Sequence, residues 1–348
     1  MGNSARFRPS PVDGLEERMV LNSSSFLPTS VFQNLASAFG FSSSSSSKAA
    51  AIPMAVLGDS LTDEYRFQDP DQMHARNWVE LLNATRRSQI TFGGFTTSDR
   101  GAPRHQGFTF DWAQSDATTG DMLQSQVPGV LPAVKSGQVR VVAILIGADD
   151  FLNVLRSVQN GTLAPAQAAR MMPQVAQTAS ANLTNAVNQI LGANSHVRIA
   201  VATIPSLTLL PAVQRGLSAS PQLQALAGAA NQAVQSYNAS ITSMAAGNKR
   251  LAVVNLASAT QQLLGSSPSS ITVGRTSINV TTPGDDYNDL FLADGIHLGT
   301  VGQGLIANEF VNTIDASFGM KIPQVSPEQI VRFARQVAKQ TQRGSGPP

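Results

Sequence analysis

The stretch Ile52-Pro53-Met54-Ala55-Val56-Leu57-Gly58-Asp59-Ser60-Leu61-Thr62-Asp63-Glu64-Tyr65 decides how this 348-residue chain is read. Its first six residues form a short apolar run, which predicts a strand buried on both faces. Gly58-Asp59-Ser60 follows, and all three residues favour a tight turn. A strand ending in such a turn sets a small hydroxyl at the C-terminal edge of a sheet, where open α/β sheets bind ligands. Asp63, Glu64 and Tyr65 are then expected to open a helix, since acids in a first turn suit its dipole.

A serine hydroxyl is a weak nucleophile until a base takes its proton. The chain has four histidines, and one stands in Asp294-Gly295-Ile296-His297, just before a predicted helix. Gly58-Asp59-Ser60-Leu61 near the start and Asp294-x-x-His297 near the end together resemble the GDSL, or SGNH, hydrolase family. The resemblance runs over roughly residues 52–318, in four separated blocks. It implies that Ser60 is the nucleophile and that its backbone N–H helps hold the oxyanion. It implies further that His297 is the general base and that Asp294 orients the imidazole, the logic of any Ser-His-Asp relay. His74, His105 and His196 have no comparable context and read as surface or packing residues.

Two blocks depart from the family pattern. Ala113-Gln114-Ser115-Asp116-Ala117-Thr118 resembles A-x-S-G-A-T, whose glycine donates a backbone N–H to the oxyanion; here that position is Asp116. The donor survives the change, at the cost of a nearby carboxylate or of strain if the family glycine has a positive φ. Gly147-Ala148-Asp149-Asp150 resembles G-x-N-D, whose asparagine donates from its side chain; here Asp149 takes its place. An ionised carboxylate only accepts hydrogen bonds, and losing one oxyanion donor costs about 10²–10³ in turnover. A desolvated carboxyl close to Asp116 would have its pKa raised and would act as a donor while protonated. The oxyanion group implied by the resemblance is therefore Ser60, Asp116 and Asp149.

Working outward, apolar runs at 139–146, 197–204 and 251–256 alternate with long helical periodicities at 166–191 and 222–246. Strands alternating with helices predict βαβ units and a parallel sheet. The expected architecture is a three-layer α/β/α sandwich with a mostly parallel central sheet, flavodoxin-like in general plan and matching the fold the resemblance implies. Residues 271–280 read as a small hairpin, 302–318 as the last core helix and 326–342 as a basic amphipathic helix. The domain reading is a Ser-rich leader or linker over 1–48, closed by the serine run 42–47, a hydrolase-like domain over 49–320, and a C-terminal helix and tail over 321–348. Low apolar content keeps the first segment from offsetting its ordering entropy, although 31–41 has the spacing of a short amphipathic helix.

Composition excludes several function classes. Hydrophobic residues make up 42% and charged residues 13%, and 24 Lys+Arg against 22 Asp+Glu leave a net charge of +2. There is no basic patch with interleaved aromatics, so no nucleic-acid partner is expected. The absence of cysteine excludes disulfides and a thiolate nucleophile. No apolar run is long enough for an integral membrane segment. The stretch 8–18 resembles a leader box found ahead of exported proteins in some bacteria but lacks the apolar core of a signal peptide, leaving export or a cytoplasmic location open. Asp285, Asp286 and Asp289 cluster without the spacing of a hard-cation loop, and no metal or other cofactor is expected.

The resemblance implies hydrolysis of a carboxylic ester, with a small-molecule ester or an acylated carbohydrate or lipid as substrate. One alternative is a module that keeps the fold with weak or lost catalysis and binds carbohydrate or lipid, favoured by the two altered blocks and opposed by intact Ser60, Asp294 and His297. Another is an acyltransferase using the same residues. Pocket walls are expected from 66–76, from 100–110 and from the hairpin near Ile278. Nothing in the sequence sets the oligomeric state.

Overall fold

The structure, a computed structural model, describes residues 50–67, 74–99, 101, 106–217 and 221–344. The chain divides into two units, Met1–Lys48 and Ala49–Pro348, and all described residues belong to the second. The expected leader with its helical stretch and serine run, and His105, lie outside the described residues.

Alternation within the strands builds the layers. In β1 (Ile52–Gly58), Ala55 and Leu57 point into one hydrophobic cluster, while Met54 and Val56 point into another. Both faces of the strand are buried, as a continuous apolar run requires. The same split recurs in β3 (Val141–Leu145) and β4 (Arg198–Ala202), and again in β5 (Leu251–Val254) with Leu251 and Val254. With β2 (Ile90–Thr91) these strands form a five-stranded parallel sheet in the order β2-β1-β3-β4-β5. Arg140, the charged residue in the run 139–146, is exposed just outside the ladder, which explains its presence there. Two antiparallel ribbons complete the strands: the expected hairpin, Ser270–Val273 with Thr276–Asn279, and an unforeseen pairing of Phe95–Thr96 with Gly107–Phe108.

The strand order reverses between β1 and β3. Connections leave to opposite sides there and open a crevice at the C-terminal edge, the place where doubly wound sheets hold ligands. Ser60 follows β1 and Asp149 follows β3, so the topology brings two of the blocks named above to that crevice.

On the first face of the sheet lie α2 (Val127–Lys135), α3 (Ala148–Gln159), α4 (Pro165–Ala193) and α5 (Pro221–Ala245). The long α4 runs unbroken through Pro173. Its buried alanines (Ala168, Ala176, Ala179 and Ala186) face a core shared with Ala230 and Ala233 of α5. Ser240 Oγ donates to Ser180 Oγ across the pair at 2.9 Å.

On the second face lie α1 (Trp78–Arg86), α6 (Leu256–Leu264), α7 (Thr300–Phe318) and α8 (Pro327–Gly344). The Trp78 ring stacks on Phe310 with centroids 4.4 Å apart, joining α1 to α7. The C-terminal helix α8 is part of this layer, burying Ile330, Val331 and Ala334 in the same cluster. A Cβ at Gly304 would meet Ile330 Cγ2 at 2.5 Å, so glycine lets α7 and α8 touch closely. Arg86 reaches from α1 to the start of α8, donating to Pro323 O just ahead of it at 2.7 Å and to Gln329 Oε1 in its first turn at 3.0 Å. Among the described residues, no helix is long and apolar enough to cross a membrane.

Ile330→Ala removes the side chain that α7 has made room for. It is expected to lower the unfolding free energy by about 2–5 kcal/mol, read from urea denaturation. A loss below about 0.5 kcal/mol would show that α8 is not held by this contact.

Candidate active site

The turn after β1 is built by close approach. A Cβ at Gly58 would lie 2.4 Å from Leu145 O, so only glycine lets the end of β1 run this near β3. Gln126, buried in the π-helical turn ahead of α2, closes both backbone groups of Gly58. Its Oε1 accepts from Gly58 N–H at 2.9 Å and its Nε2 donates to Gly58 O at 2.8 Å. Asp59 O then accepts from the N–H groups of Thr62 and Asp63, each at 3.0 Å, and the turn leaves Ser60 half-buried at the crevice.

The helix expected to begin at Asp63 does not form; a single 3-10 turn, Tyr65–Phe67, stands in its place. The acids serve loops instead of a dipole. Asp63 Oδ2 accepts from Ser115 N–H at 3.0 Å, and the buried Glu64 accepts from Phe108 N–H at 2.6 Å. A carboxylate paired to a distant backbone N–H outweighs a weak preference for a first helical turn.

The segment before α7 presents His297. Gly295 takes a φ of 71°, turning the chain so that Asp294 faces back on it. Asp294 Oδ1 accepts from the N–H groups of Ile296 (2.7 Å) and His297 (2.9 Å), and Oδ2 meets His297 Nδ1 at 2.5 Å. One carboxylate thus fixes both the loop and the ring. Because a carboxylate only accepts, Nδ1 carries the hydrogen and Nε2 is left as an acceptor. His297 Nε2 lies 2.7 Å from Ser60 Oγ. Burial alone would raise the Asp294 pKa, but the hydrogen bond and charge of His297, with the two N–H groups, hold it below the ordinary carboxylate value. Tyr65 stands edge-on to the imidazole with centroids 6.1 Å apart, and Gln303 Nε2 donates to its hydroxyl at 2.5 Å. Glu80 anchors the Tyr65 turn, accepting from Tyr65 N–H at 3.1 Å and pairing with Arg66 Nε at 2.5 Å.

The two departing positions meet through a residue the sequence reading missed. Gly147, with φ 118°, begins α3 because a Cβ there would strike the Tyr237 ring at 2.8 Å. Asp149 and Asp150 follow in the first turn. Asp150 takes Thr119 N–H at 2.9 Å and Thr119 Oγ1 at 2.7 Å, so it and Asp63 grip the segment 115–119 from two sides. Asp116 adopts a φ of 60°, the left-handed conformation that suits a glycine, which costs an aspartate about 1–2 kcal/mol. Its side chain is 79% exposed, so the carboxylate turns outward. Asp149 is buried, and burial pushes its pKa up against the pull of Arg156. Arg156 bridges both acids: Nη1 lies 3.2 Å from Asp149 Oδ1, and Nη2 lies 3.6 Å from Asp116 Oδ1. Asp149 and Arg156 stand two turns apart on α3, a spacing that places them on one face and was legible in principle.

A family model described as GDSL-like Lipase/Acylhydrolase matches residues 54–310, most of the chain. The chain belongs to this family. It is thus a serine hydrolase that acts on ester bonds. No curated protein matches the sequence significantly. Similar solved structures include phospholipase A1 from Streptomyces albidoflavus NA297 (17% identity, TM-score 0.47), covering 77% of this chain and 100% of that one. An extracellular lipase from Streptomyces rimosus is 20% identical at TM-score 0.43, with 77% and 100% covered. A family 3 carbohydrate esterase from Clostridium thermocellum is 17% identical at TM-score 0.38, with 83% and 99% covered.

In this GDSL-family chain a cavity of about 400 Å³ adjoins the crevice. Ser60, His297, Asp149 and Arg156 share its lining with Leu207, Leu210, Leu263, Leu298, Leu305 and Ile306, among others. None of the described residues in 66–76 or 100–110 lines it, nor does Ile278; the walls come from the segment after β4, from α6 and from α7. The reason is topological. The connections after β4 and β5 leave the same sheet edge as Ser60, whereas the chain near 107 is tied down to Glu64 and the Phe95–Thr96 ribbon. Among the described residues no group of three His, Cys, Asp or Glu side chains is placed to hold a metal ion, the acids near Asp289 included.

Asp59 is fully buried, its Oδ1 accepts from Leu61 N–H at 3.1 Å, and its Oδ2 has no hydrogen-bond partner among the described residues. Burial first, and the charge of Asp149 second, raise its pKa well above the ordinary value. The folded state therefore keeps a proton that the unfolded state has released, and stability falls as pH rises between the two values. Asp59→Asn retains the Leu61 acceptor without the charge. It is expected to be more stable than the unmodified protein at pH 7, with the gap closing as pH falls toward about 4, as measured by denaturant melts at both pH values.

Proposed function

We propose that the protein hydrolyses carboxylic esters with medium or long acyl chains, through an acyl-enzyme on Ser60. The observation that carries this reading is an unbroken Ser60–His297–Asp294 relay whose serine and histidine line a largely apolar cavity.

Ser60 Oγ attacks the ester carbonyl carbon while His297 Nε2 takes its proton. Asp294 holds the imidazole in the tautomer that accepts and stabilises the imidazolium that forms. Collapse of the tetrahedral intermediate breaks the bond to the leaving alcohol, which takes the proton from His297. Water, deprotonated by the same nitrogen, then attacks the acyl-Ser60 carbonyl; collapse breaks the bond to Ser60 Oγ, which takes the proton back from His297 as the acid leaves. The backbone N–H groups of Ser60 and Asp116 are the oxyanion donors, and Asp149 flanks them at the third position. No cofactor takes part in these steps.

The cavity supports the acyl preference. Its volume suits a ligand well beyond two carbons, and its leucine and isoleucine walls reward apolar surface. A binding module would have no use for a serine hydroxyl 2.7 Å from an oriented imidazole, which weighs against that alternative. An acyltransferase shares the first half-reaction and differs only in what attacks the acyl-enzyme; no described feature favours an acceptor other than water.

Ser60→Ala is expected to lower hydrolysis of p-nitrophenyl octanoate by about 10³-fold or more, with the melting temperature little changed. A Ser60-independent rate would end this reading. Along the p-nitrophenyl series from acetate to decanoate, kcat/KM is expected to climb about fourfold for each methylene the cavity buries. Leu263→Trp, which narrows the cavity, is expected to flatten that climb while leaving the acetate rate within a few-fold.

A further inference from the structure

The two departures from the family pattern, Asp116 and Asp149, share one partner. We infer that Arg156, clamped between these two carboxylates, supplies the third oxyanion donor that the family draws from an asparagine amide. This rests on the reading of Ser60 as an ester-cleaving nucleophile.

Asp149 occupies the position after Gly147 and Ala148 where an amide would donate, and an ionised carboxylate there only accepts. Its Oδ1 faces Arg156 Nη1 at 3.2 Å, and the other terminal nitrogen faces Asp116 Oδ1 at 3.6 Å. Asn153 Oδ1, one turn before Arg156, accepts from Nη1 at 2.9 Å. The guanidinium is thereby held between the first turns of α3 and the segment around Asp116, and it lines the same cavity as Ser60 and His297. It carries five N–H donors, so these contacts leave donors for a developing oxyanion. Asp59, Asp149 and Glu309 also line the cavity, and among its described lining residues Arg156 is the one arginine or lysine. Without it, negative charge on the tetrahedral intermediate would grow beside buried carboxylates, opposed among the cavity's described lining residues by the His297 imidazolium alone. The exchange is of one neutral donor for a charged one, with the acids as its anchors. A guanidinium donates charge-assisted hydrogen bonds, roughly twice as strong as neutral ones.

The test is a cycle of single and double variants on p-nitrophenyl octanoate, each compared with Ser60→Ala as the background rate. Arg156→Met is expected to lower kcat by about 10²-fold, with KM changed by less than about threefold. Arg156→Lys keeps a cation and is expected to recover at least about tenfold of that loss. Asp149→Asn restores the amide, so adding Arg156→Met to it is expected to cost less than about tenfold. Arg156→Met with an unchanged or raised kcat overturns the inference, since the guanidinium would then be a surface ion pair or an obstruction. An equal 10²-fold loss in both backgrounds overturns it as well, because Arg156 would then act on the fold and not as a substitute for the amide. If Arg156→Met does not fold, Arg156→Gln and Arg156→Lys carry the same comparison with and without Asp149→Asn. Activity that survives Ser60→Ala is a separate result, which removes the functional reading itself.

Discussion

The pairing of β1 with β3 ends at Gly58 opposite Leu145, and the molecule's chemistry is arranged around that last contact. A side chain at Gly58 would collide with the Leu145 carbonyl. With glycine there, the two strands stay in register to their ends and their following loops diverge on opposite sides. The crevice left between the loops receives Ser60 from one strand and Asp149 from the other. Gln126 completes the arrangement by bonding both backbone groups of Gly58. Such a buried amide satisfies the Gly58 N–H and carbonyl where the sheet comes apart.

The second layer of helices brings the histidine. His297 comes from a segment 237 residues after Ser60 in sequence, and its place depends on where α7 starts. That start is fixed by Phe310 stacked on Trp78, by Ile330 seated on Gly304, and by Gln303, which accepts from Trp78 N–H and donates to Tyr65. The hydrogen bond to Ser60 Oγ is therefore the outcome of packing on the second face of the sheet, remote in sequence from the Ser60 turn. A layer of this kind locates a side chain within a fraction of an ångström because interiors are close-packed and yield little.

Electrostatically the crevice is crowded with acids, and each is handled differently. Asp294 is drawn below its ordinary pKa by His297 and two backbone N–H groups, although burial opposes this. Asp150 spends both oxygens on Thr119. Asp59 is buried, and its second oxygen has no hydrogen-bond partner among the described residues, so the proton-bound form is favoured there. Asp149 and Asp116 converge on Arg156. The strained φ of Asp116 shows how tightly that segment is held, since an aspartate adopts the left-handed conformation only where its surroundings over-determine it.

Periodicity and turn chemistry were enough to read four of the five parallel strands, the two long helices, the small hairpin and the Ser60 turn, because each follows from residues close in sequence; the two-residue strand Ile90–Thr91 is too short to show a period. The run 52–57 is buried on both faces whatever else the chain does, and Asp294 reaches His297 across three residues. The tertiary structure alone decided the rest. Acids at 63 and 64 looked like the start of a helix, yet their partners are N–H groups at 115 and 108, and local propensity is weaker than a buried charge-assisted hydrogen bond. The pocket walls were expected from 66–76, from 100–110 and from the hairpin near Ile278; much of the lining instead comes from the segment after β4, from α6 and from α7, which share the sheet edge of Ser60. Arg156 and Gln126 drew no notice because an arginine on an amphipathic helix and a glutamine in an apolar stretch resemble ordinary surface residues. Their significance lies in distances to Asp116, Asp149 and Gly58, and only close packing of segments remote in sequence sets those distances.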